Sequence, residues 1–157
     1  MKMLRTIRFD ATDETVFERA AAPDELAVAG AFLFADEPPE QRSGKRRQAF
    51  RNGFLGIESF GFATFVCIAE MAESEFGRAV DLLAYRFFAE LGAPDLAVAR
   101  EAATAEVEFA AGLCTHPINT VIAVEREQAE DGVRERFRVV RPPRERDHAR
   151  IWTADDA

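Results

Sequence analysis

The chain has 157 residues, of which 48% are hydrophobic and 31% are charged. This balance is typical of a folded protein and excludes a disordered chain, and the length suits one hydrophobic core rather than two ordinary domains. The net charge of −8 disfavours nucleic acid and anionic membranes as partners, because both of them bind basic surfaces.

Two features predict a reducing, cytoplasmic setting. The N-terminal residues lack the continuous apolar stretch of a signal peptide, and no apolar run approaches the ~18 residues of a membrane span. The two cysteines, Cys67 and Cys114, lie far apart in the chain. We therefore expect a cytoplasmic protein in which both thiols are free.

The N-terminal part of the chain predicts short strands. Residues 3–9 alternate as in a first strand, and residues 16–18 predict a short second one. Residues 26–34 predict a third strand, with Gly30 as a candidate bulge.

A short basic helix and a buried strand come next. Ser43 is a good N-cap, and Asn52-Gly53 is a typical C-terminal stop, so the sequence predicts a helix between them. The continuous apolar run over residues 64–69 predicts a central strand that is covered on at least one side.

Helical periodicity is clearest in the middle of the chain. The first helix, residues 73–91, ends at Gly92 and Pro94. Its predicted buried face contains Phe76, Val80, Leu83, Phe87 and Leu91. The second helix, residues 94–114, is stopped by His116-Pro117. Its predicted buried face contains Leu96, Ala99, Ala103, Val107, Ala110 and Cys114.

A C-terminal β-hairpin is predicted over residues 120–140, and its register can be tested on charge. Pairing Gln128 with Val133 sets charged residues against opposite charges in three pairs and apolar residues against each other in two, whereas a slip of one residue would not. The resulting pairs are Glu127 with Arg134, Arg126 with Glu135, Glu125 with Arg136, Val124 with Phe137 and Ile122 with Val139.

This order of elements predicts an α+β fold. We expect a two-layer sandwich, in which a mostly antiparallel sheet carries the two long helices, 73–91 and 94–114, on one face. Residues 1–141 are predicted to form a single domain. Residues 142–157 are predicted to form a charged, flexible tail, in which Ile151-Trp152 is the segment able to dock.

The short basic helix is the first candidate site. Residues 42–51 contain five basic residues and no acid: Arg42, Lys45, Arg46, Arg47 and Arg51. The segment is not a phosphate loop, because Pro39 stands in place of the first glycine and Arg46 in place of the Ser or Thr that would hold magnesium. It is either a solvated helix face or a docking site for an acidic protein partner or an anionic small molecule.

A phenylalanine-rich and glycine-rich segment, residues 53–61, is the second candidate. Glycines among aromatic residues let the backbone approach a ligand or another chain, and a tight bend between a helix and a buried strand needs them equally. The candidate contact residues here are Phe54 and Phe60. The phenylalanines around the segment are Phe50, Phe54, Phe60, Phe62 and Phe65.

The remaining reactive side chains predict no catalytic residue, metal site or cofactor. Cys114 and His116 are neighbours, but a metal needs three or four ligands, and the other histidine, His148, lies in the predicted tail. Cys114 also lies near the carboxyl end of a helix, where the dipole opposes a thiolate. Glu125 and Glu127 share a strand face, and the hairpin register pairs each of them with an arginine.

Several motifs resemble a family of short bacterial proteins of unknown function. They are Arg47-Gln48-Ala49-Phe50, Asn52-Gly53-Phe54-Leu55-Gly56, Glu58-Ser59-Phe60-Gly61, His116-Pro117-Ile118-Asn119-Thr120 and Ala123-Val124-Glu125-Arg126-Glu127. The resemblance covers residues 1–142. It implies one domain over that range and no known chemistry, and it associates the chain with accessory factors for the maturation of redox enzymes.

Two hypotheses on function follow. The leading one is a non-enzymatic binding or accessory module that acts through protein contacts and forms a homodimer. The alternative is an enzyme or small-ligand binder with an apolar pocket near Gly53–Gly61 and cationic neighbours from the 42–51 helix.

Overall fold

A computed structural model describes residues 1–140 and has the predicted α+β composition. In chain order the strands are β1 Lys2–Ile7, β2 Ala27–Val28, β3 Phe54–Gly56, β4 Phe62–Ala63, β5 Phe65–Glu70, β6 Val121–Ala129 and β7 Gly132–Val140. The α-helices are α1 Thr12–Val16, α2 Gly44–Asn52, α3 Glu73–Glu90 and α4 Leu96–Gly112, and two 3-10 helices span Ala31–Phe34 and Pro39–Gln41. The predicted tail, residues 142–157, lies outside the described residues.

The main sheet has four antiparallel strands in the order β1-β5-β6-β7. The predicted strand over residues 64–69 is confirmed as β5, which lies between β1 and β6 and buries Val66 and Ile68. The predicted first strand ends earlier than expected, at Ile7 rather than Phe9. Phe9 is exposed beyond the strand, and its ring contacts that of Phe65 at 5.1 Å between ring centroids.

The predicted hairpin register is confirmed along β6 and β7. Gln128 pairs with Val133, and the charged and apolar pairs follow as expected down to Val121 and Val140. Strand β5 pairs with β6 only over residues 121–123. Beyond Ala123 the hairpin therefore projects past its neighbour in the sheet.

A second antiparallel sheet, with strand order β2-β3-β4, replaces the long strand predicted over residues 26–34. The prediction is wrong after Val28, because Gly30 takes a left-handed conformation (φ 89°) and turns the chain into a 3-10 helix. Gly30 is thus a turn residue, not a bulge. The two sheets meet where Arg5 of β1 forms an isolated antiparallel bridge with Leu26.

The strand predicted over residues 16–18 is also wrong, since residues 12–16 form helix α1. The side chain of Asp10 accepts a hydrogen bond from the Thr12 amide at 2.8 Å, which favours the start of a helix. Asp13 is buried, and its carboxylate accepts a hydrogen bond from the Thr64 hydroxyl at 2.7 Å. The helix is therefore tied to the chain just before β5.

The two long helices are confirmed and pack side by side. Ala99 and Ala103 of α4 are fully buried, as is Leu83 of α3, so small side chains let the helices approach closely. Two predicted core residues are wrong: Leu91 is 45% exposed and Leu96 is 58% exposed. Each lies at a helix end, Leu91 at the C-cap of α3 and Leu96 at the first position of α4, where helical periodicity no longer points a side chain at the core.

Candidate functional site

Helix α2 begins and ends where the sequence predicts. Ser43 occupies the N-cap position, although its side chain makes no capping hydrogen bond, and Gly53 is the C-cap. The Asn52 amide donates a hydrogen bond to the Val124 carbonyl at 3.1 Å. This bond joins the end of the helix to β6, where β6 has run past β5.

Arg42, the first of the five cations, is a structural residue rather than a surface charge. It is only 4% exposed, and it donates hydrogen bonds to the Gln128 side chain at 3.0 Å and to the Phe34 carbonyl at 3.0 Å. Its guanidinium lies 4.0 Å from the centre of the Phe50 ring and 3.4 Å from the Glu37 carboxylate. Arg42 thereby links the 3-10 segments, α2 and β6.

Arg46 is also paired with Glu37, at 2.8 Å, and its guanidinium lies 4.4 Å from the centre of the Phe34 ring. Within residues 1–140, Lys45, Arg47 and Arg51 are exposed and form no ion pair. The predicted cluster of five charges therefore separates into two that pair with Glu37 and three that face solvent.

Two open grooves flank the helix. The first has a volume of about 300 Å³ and separates α2 from the hairpin. Its lining residues are Pro39, Arg42, Arg47, Phe50, Arg51, Arg126, Glu127 and Gln128. The second has a volume of about 330 Å³ and separates α2 from the segment before β2. Its lining residues are Glu18, Arg19, Lys45, Arg46, Ala49, Phe60 and Phe62.

The two phenylalanines named as candidate contacts occupy different environments. Phe54 is completely buried and contacts Phe137 at 6.0 Å between ring centroids. Phe60 is half-buried, has a left-handed backbone (φ 57°), and lies 4.8 Å from the Arg86 guanidinium. Phe54 thus fills the core, whereas Phe60 lines the second groove.

The glycines of the 53–61 segment are required by contacts within the protein. A Cβ at Gly61 would lie 2.6 Å from the carbonyl of Ala20, and one at Gly56 would lie 2.7 Å from the carboxylate of Glu25. Such distances are too short for non-bonded atoms, so a side chain at either position would displace its neighbour. Of the two explanations for these glycines, the contacts therefore support a tight bend within the protein.

Sequence reasoning missed Arg126 of β6 as a buried charged residue of the site. Its side chain is fully buried, pairs with Glu135 at 2.6 Å, and donates hydrogen bonds to the carbonyls of Phe50 at 3.0 Å and Gly53 at 2.8 Å, as well as to that of Ala29. Carbonyls at the end of a helix have no hydrogen-bond donors within the helix, and Arg126 is the donor to such carbonyls of α2. The signal was present, because alternation along β6 places Arg126 on the same side as Ile122 and Val124.

Burial shifts the pKa values of groups near this arginine. Desolvation lowers the pKa of Arg126, although its hydrogen bond with Glu135 acts in the opposite direction. Burial raises the pKa of Glu106 on α4, and the nearby negative charge of Glu135 raises it further. The three residues form a partly buried charge cluster between α4 and the hairpin.

The other reactive side chains have structural partners. Both cysteines are free, as predicted, and burial raises the pKa of Cys114 to about 11. Glu125 forms ion pairs with Arg136 and Arg138 on the surface, and Glu127 lies 4.0 Å from Arg134. Within residues 1–140, no three His, Cys, Asp or Glu side chains lie close enough to hold a metal ion. No helix in the same range is long and apolar enough to cross a membrane.

Comparison with known proteins identifies the family but no activity. The chain belongs to a family of unknown function (DUF6505), whose sequence profile matches residues 1–155. The resemblance to an uncharacterised family is therefore confirmed, and it extends beyond residue 142. No curated protein and no solved structure matches the chain.

Proposed function

We propose that this protein is a binding module that docks an acidic segment of a partner protein against helix α2. The observation that carries the proposal is the separation of the five cations. Arg42 and Arg46 pair with Glu37. In contrast, Lys45, Arg47 and Arg51 face solvent without an ion pair within residues 1–140.

The surrounding charge makes this patch specific. The whole chain carries a net charge of −8, so most of its surface repels an acidic partner. The exposed cations of α2 attract such a partner, and the groove beside the hairpin gives an extended segment room next to Arg47 and Arg51. Such a contact sets the orientation and the association rate more than the final affinity, and salt weakens it.

The test is a titration of the full chain with a short polyglutamate peptide at low and moderate salt. We expect Arg47→Glu/Arg51→Glu to weaken binding by about tenfold or more, because two attractive charges become repulsive. The control, Arg78→Glu/Arg100→Glu, makes the same change in net charge on α3 and α4 and should leave the affinity within about twofold. Equal losses in both variants would mean that only net charge matters, and the proposal would be wrong.

A second candidate is a small anionic ligand with an apolar part, which the second groove favours. There Phe60 and Phe62 offer apolar surface beside Arg19 and Lys45. Nucleotides and acyl compounds have this chemistry. A thermal-melt screen against both classes tests it, because a ligand at a hundred times its Kd stabilises the native state by about 2.7 kcal/mol. A stabilisation that Phe60→Ala removes would establish this site.

We also propose that the module acts in the cytoplasm as a homodimer. The support for a dimer is the exposed apolar surface of α3, where Leu82, Tyr85 and Phe88 face solvent. Light scattering at micromolar concentration tests it, with Tyr85→Lys as the disrupting variant, and a monomer would remove this part of the proposal. Accessory factors for redox-enzyme maturation are the partners that the family resemblance suggests, and they are the first to test.

A further inference from the structure

Strand β7 forms one edge of the four-stranded sheet, and its outer side is open within the described residues. Strand β6 covers the other side along the whole length of β7. The turn of the hairpin has two residues, and Ala129 and Gly132 on either side of it form a hydrogen-bonded pair. From there, non-hydrogen-bonded and hydrogen-bonded residue pairs alternate along the two strands. The backbone groups of the odd-numbered residues from 133 to 139 therefore point outward. None of them has a hydrogen-bond partner within residues 1–140.

The two faces of this edge differ sharply in chemistry. Arg134, Arg136 and Arg138 form a row on one face, with side chains between 53% and 74% exposed. Their carboxylate partners are Glu125 and Glu127 on β6, and Asp131 in the turn lies 3.9 Å from Arg134. The three arginine side chains nevertheless remain more than half exposed, so an incoming carboxylate can reach them.

The opposite face of the edge is mostly apolar, and its one acidic residue, Glu135, is already paired with the buried Arg126 at 2.6 Å. Phe137 contacts Phe109 of α4 at 5.8 Å between ring centroids, and Phe109 is 46% exposed. Val133 and Val139 lie on the same face of β7 as Phe137 and are 37% and 36% exposed. Another strand at this edge would therefore cover apolar side chains on one face and meet arginines on the other.

From this geometry we infer that β7 is a docking edge for an extended segment of a partner protein in which acidic and apolar residues alternate. The acidic side chains lie opposite the arginine row, and the apolar ones cover Val139 and Phe109. Backbone hydrogen bonds to the outward-facing groups of β7 supply affinity, and the two faces supply specificity, as in other cases of strand addition.

Charge excludes a second copy of the chain as the occupant. If two β7 strands paired edge to edge about a two-fold axis, arginines would lie opposite arginines in every register that joins most of the strand. Like charges directly opposite each other destabilise a strand pair, whereas opposite charges stabilise it. The site is also separate from α2, so the failure of either proposal leaves the other standing.

The test uses the full chain and a peptide of alternating valine and glutamate, about ten residues long. Amide hydrogen exchange reports the geometry directly. We expect the peptide to slow exchange at Val133, Glu135, Phe137 and Val139 by about tenfold or more, because these amides point outward. The amides of the even-numbered residues, already bonded to β6, should change little.

Two variants make the result decisive. Arg134→Glu/Arg138→Glu should reverse the preference, so that a valine–lysine peptide binds in place of the valine–glutamate one. This exchange of specificity cannot arise from unfolding. Val139→Pro removes one outward donor without removing a hydrogen bond to β6, and it should abolish binding of the valine–glutamate peptide. Arg47→Glu/Arg51→Glu should leave binding at this edge unchanged.

Three results would overturn the inference. The first is equal binding of the two peptides by the unmodified protein. The second is protection of the outward amides before any peptide is added, which would mean that the chain covers its own edge. The third is a dimer in solution that Val139→Pro dissociates, which would make a second copy the occupant.

Discussion

Replacing Arg126 by methionine should destabilise the protein more than any change at the surface. The substitution keeps a long side chain but removes the charge that faces Glu135 and the donors to Phe50 and Gly53. Removing one member of a buried ion pair costs about 3–5 kcal/mol, and each buried carbonyl left without a donor costs about 1–3 kcal/mol. The costs are not additive, and Glu135 is partly exposed so that water can reach it. We therefore expect a total below their sum, about 4 kcal/mol.

Urea denaturation measures this loss. With an m-value of about 2 kcal/mol/M, the midpoint should fall by about 2 M while the slope stays the same. Arg100→Met is the control, because Arg100 and Asp81 form an exposed ion pair that contributes less than about 1 kcal/mol. Arg126→Met/Glu135→Met should recover part of the loss, since Glu135 is then not left without its partner. A shift of about 0.5 M in the urea midpoint corresponds to about 1 kcal/mol at this m-value. If the midpoint of Arg126→Met lay within about 0.5 M of that of the unmodified protein, the buried ion pair and hydrogen bonds would not have the predicted stability.

Three further predictions concern the core. Gly61→Ala should destabilise the protein by about 1–3 kcal/mol in urea denaturation, because the new methyl group would collide with the Ala20 backbone. The control is Gly77→Ala on α3, where the new methyl group has open space, and it should stabilise the protein by about 0.5–1 kcal/mol. Glu106→Gln should be more stable than the unmodified protein at neutral pH. The pKa of Glu106 in the folded protein is raised above 4.5. Protonated Glu106 therefore contributes its full stability below pH 4.5, and this stability is lost as the pH rises through the folded pKa. The difference in urea midpoint between Glu106→Gln and the unmodified protein should accordingly vanish in acid. Cys114, with a pKa of about 11, should react with a thiol reagent far more slowly at pH 7 than a free thiol of ordinary pKa; reaction at the ordinary rate would contradict its burial.

The sequence predicted those elements whose pattern repeats over many residues. The hairpin register followed from three opposite-charge pairs and two apolar pairs, and the structure has the same register. The second sheet could not be predicted in this way. Its strands Ala27–Val28, Phe54–Gly56 and Phe62–Ala63 contain two or three residues each, which is too few for an alternation to be recognised.

The candidate site was harder to predict than the fold, because identical residue types have different surroundings. Arg42 and Arg47 look alike in the sequence, yet the first is buried against Phe50 and the second is exposed. Glu37 makes the difference, and it lies outside the basic segment. The 3-10 helix Pro39–Gln41 turns the chain so that the carboxylate of Glu37 lies beside Arg42 and Arg46 at the start of α2. No short-range sequence pattern encodes this contact.

Arg126 connects the two proposed binding surfaces through the interior of the protein. On one side it bonds the carbonyls at the end of α2, and on the other it pairs with Glu135 on the inner face of β7. The distance between the exposed cations of α2 and the arginine row of β7 is therefore set by a buried contact, not by the surface charges themselves. Reversing charge on either surface should affect that surface alone, whereas loss of Arg126 should weaken both. Binding experiments on the two surfaces can thus separate recognition from folding.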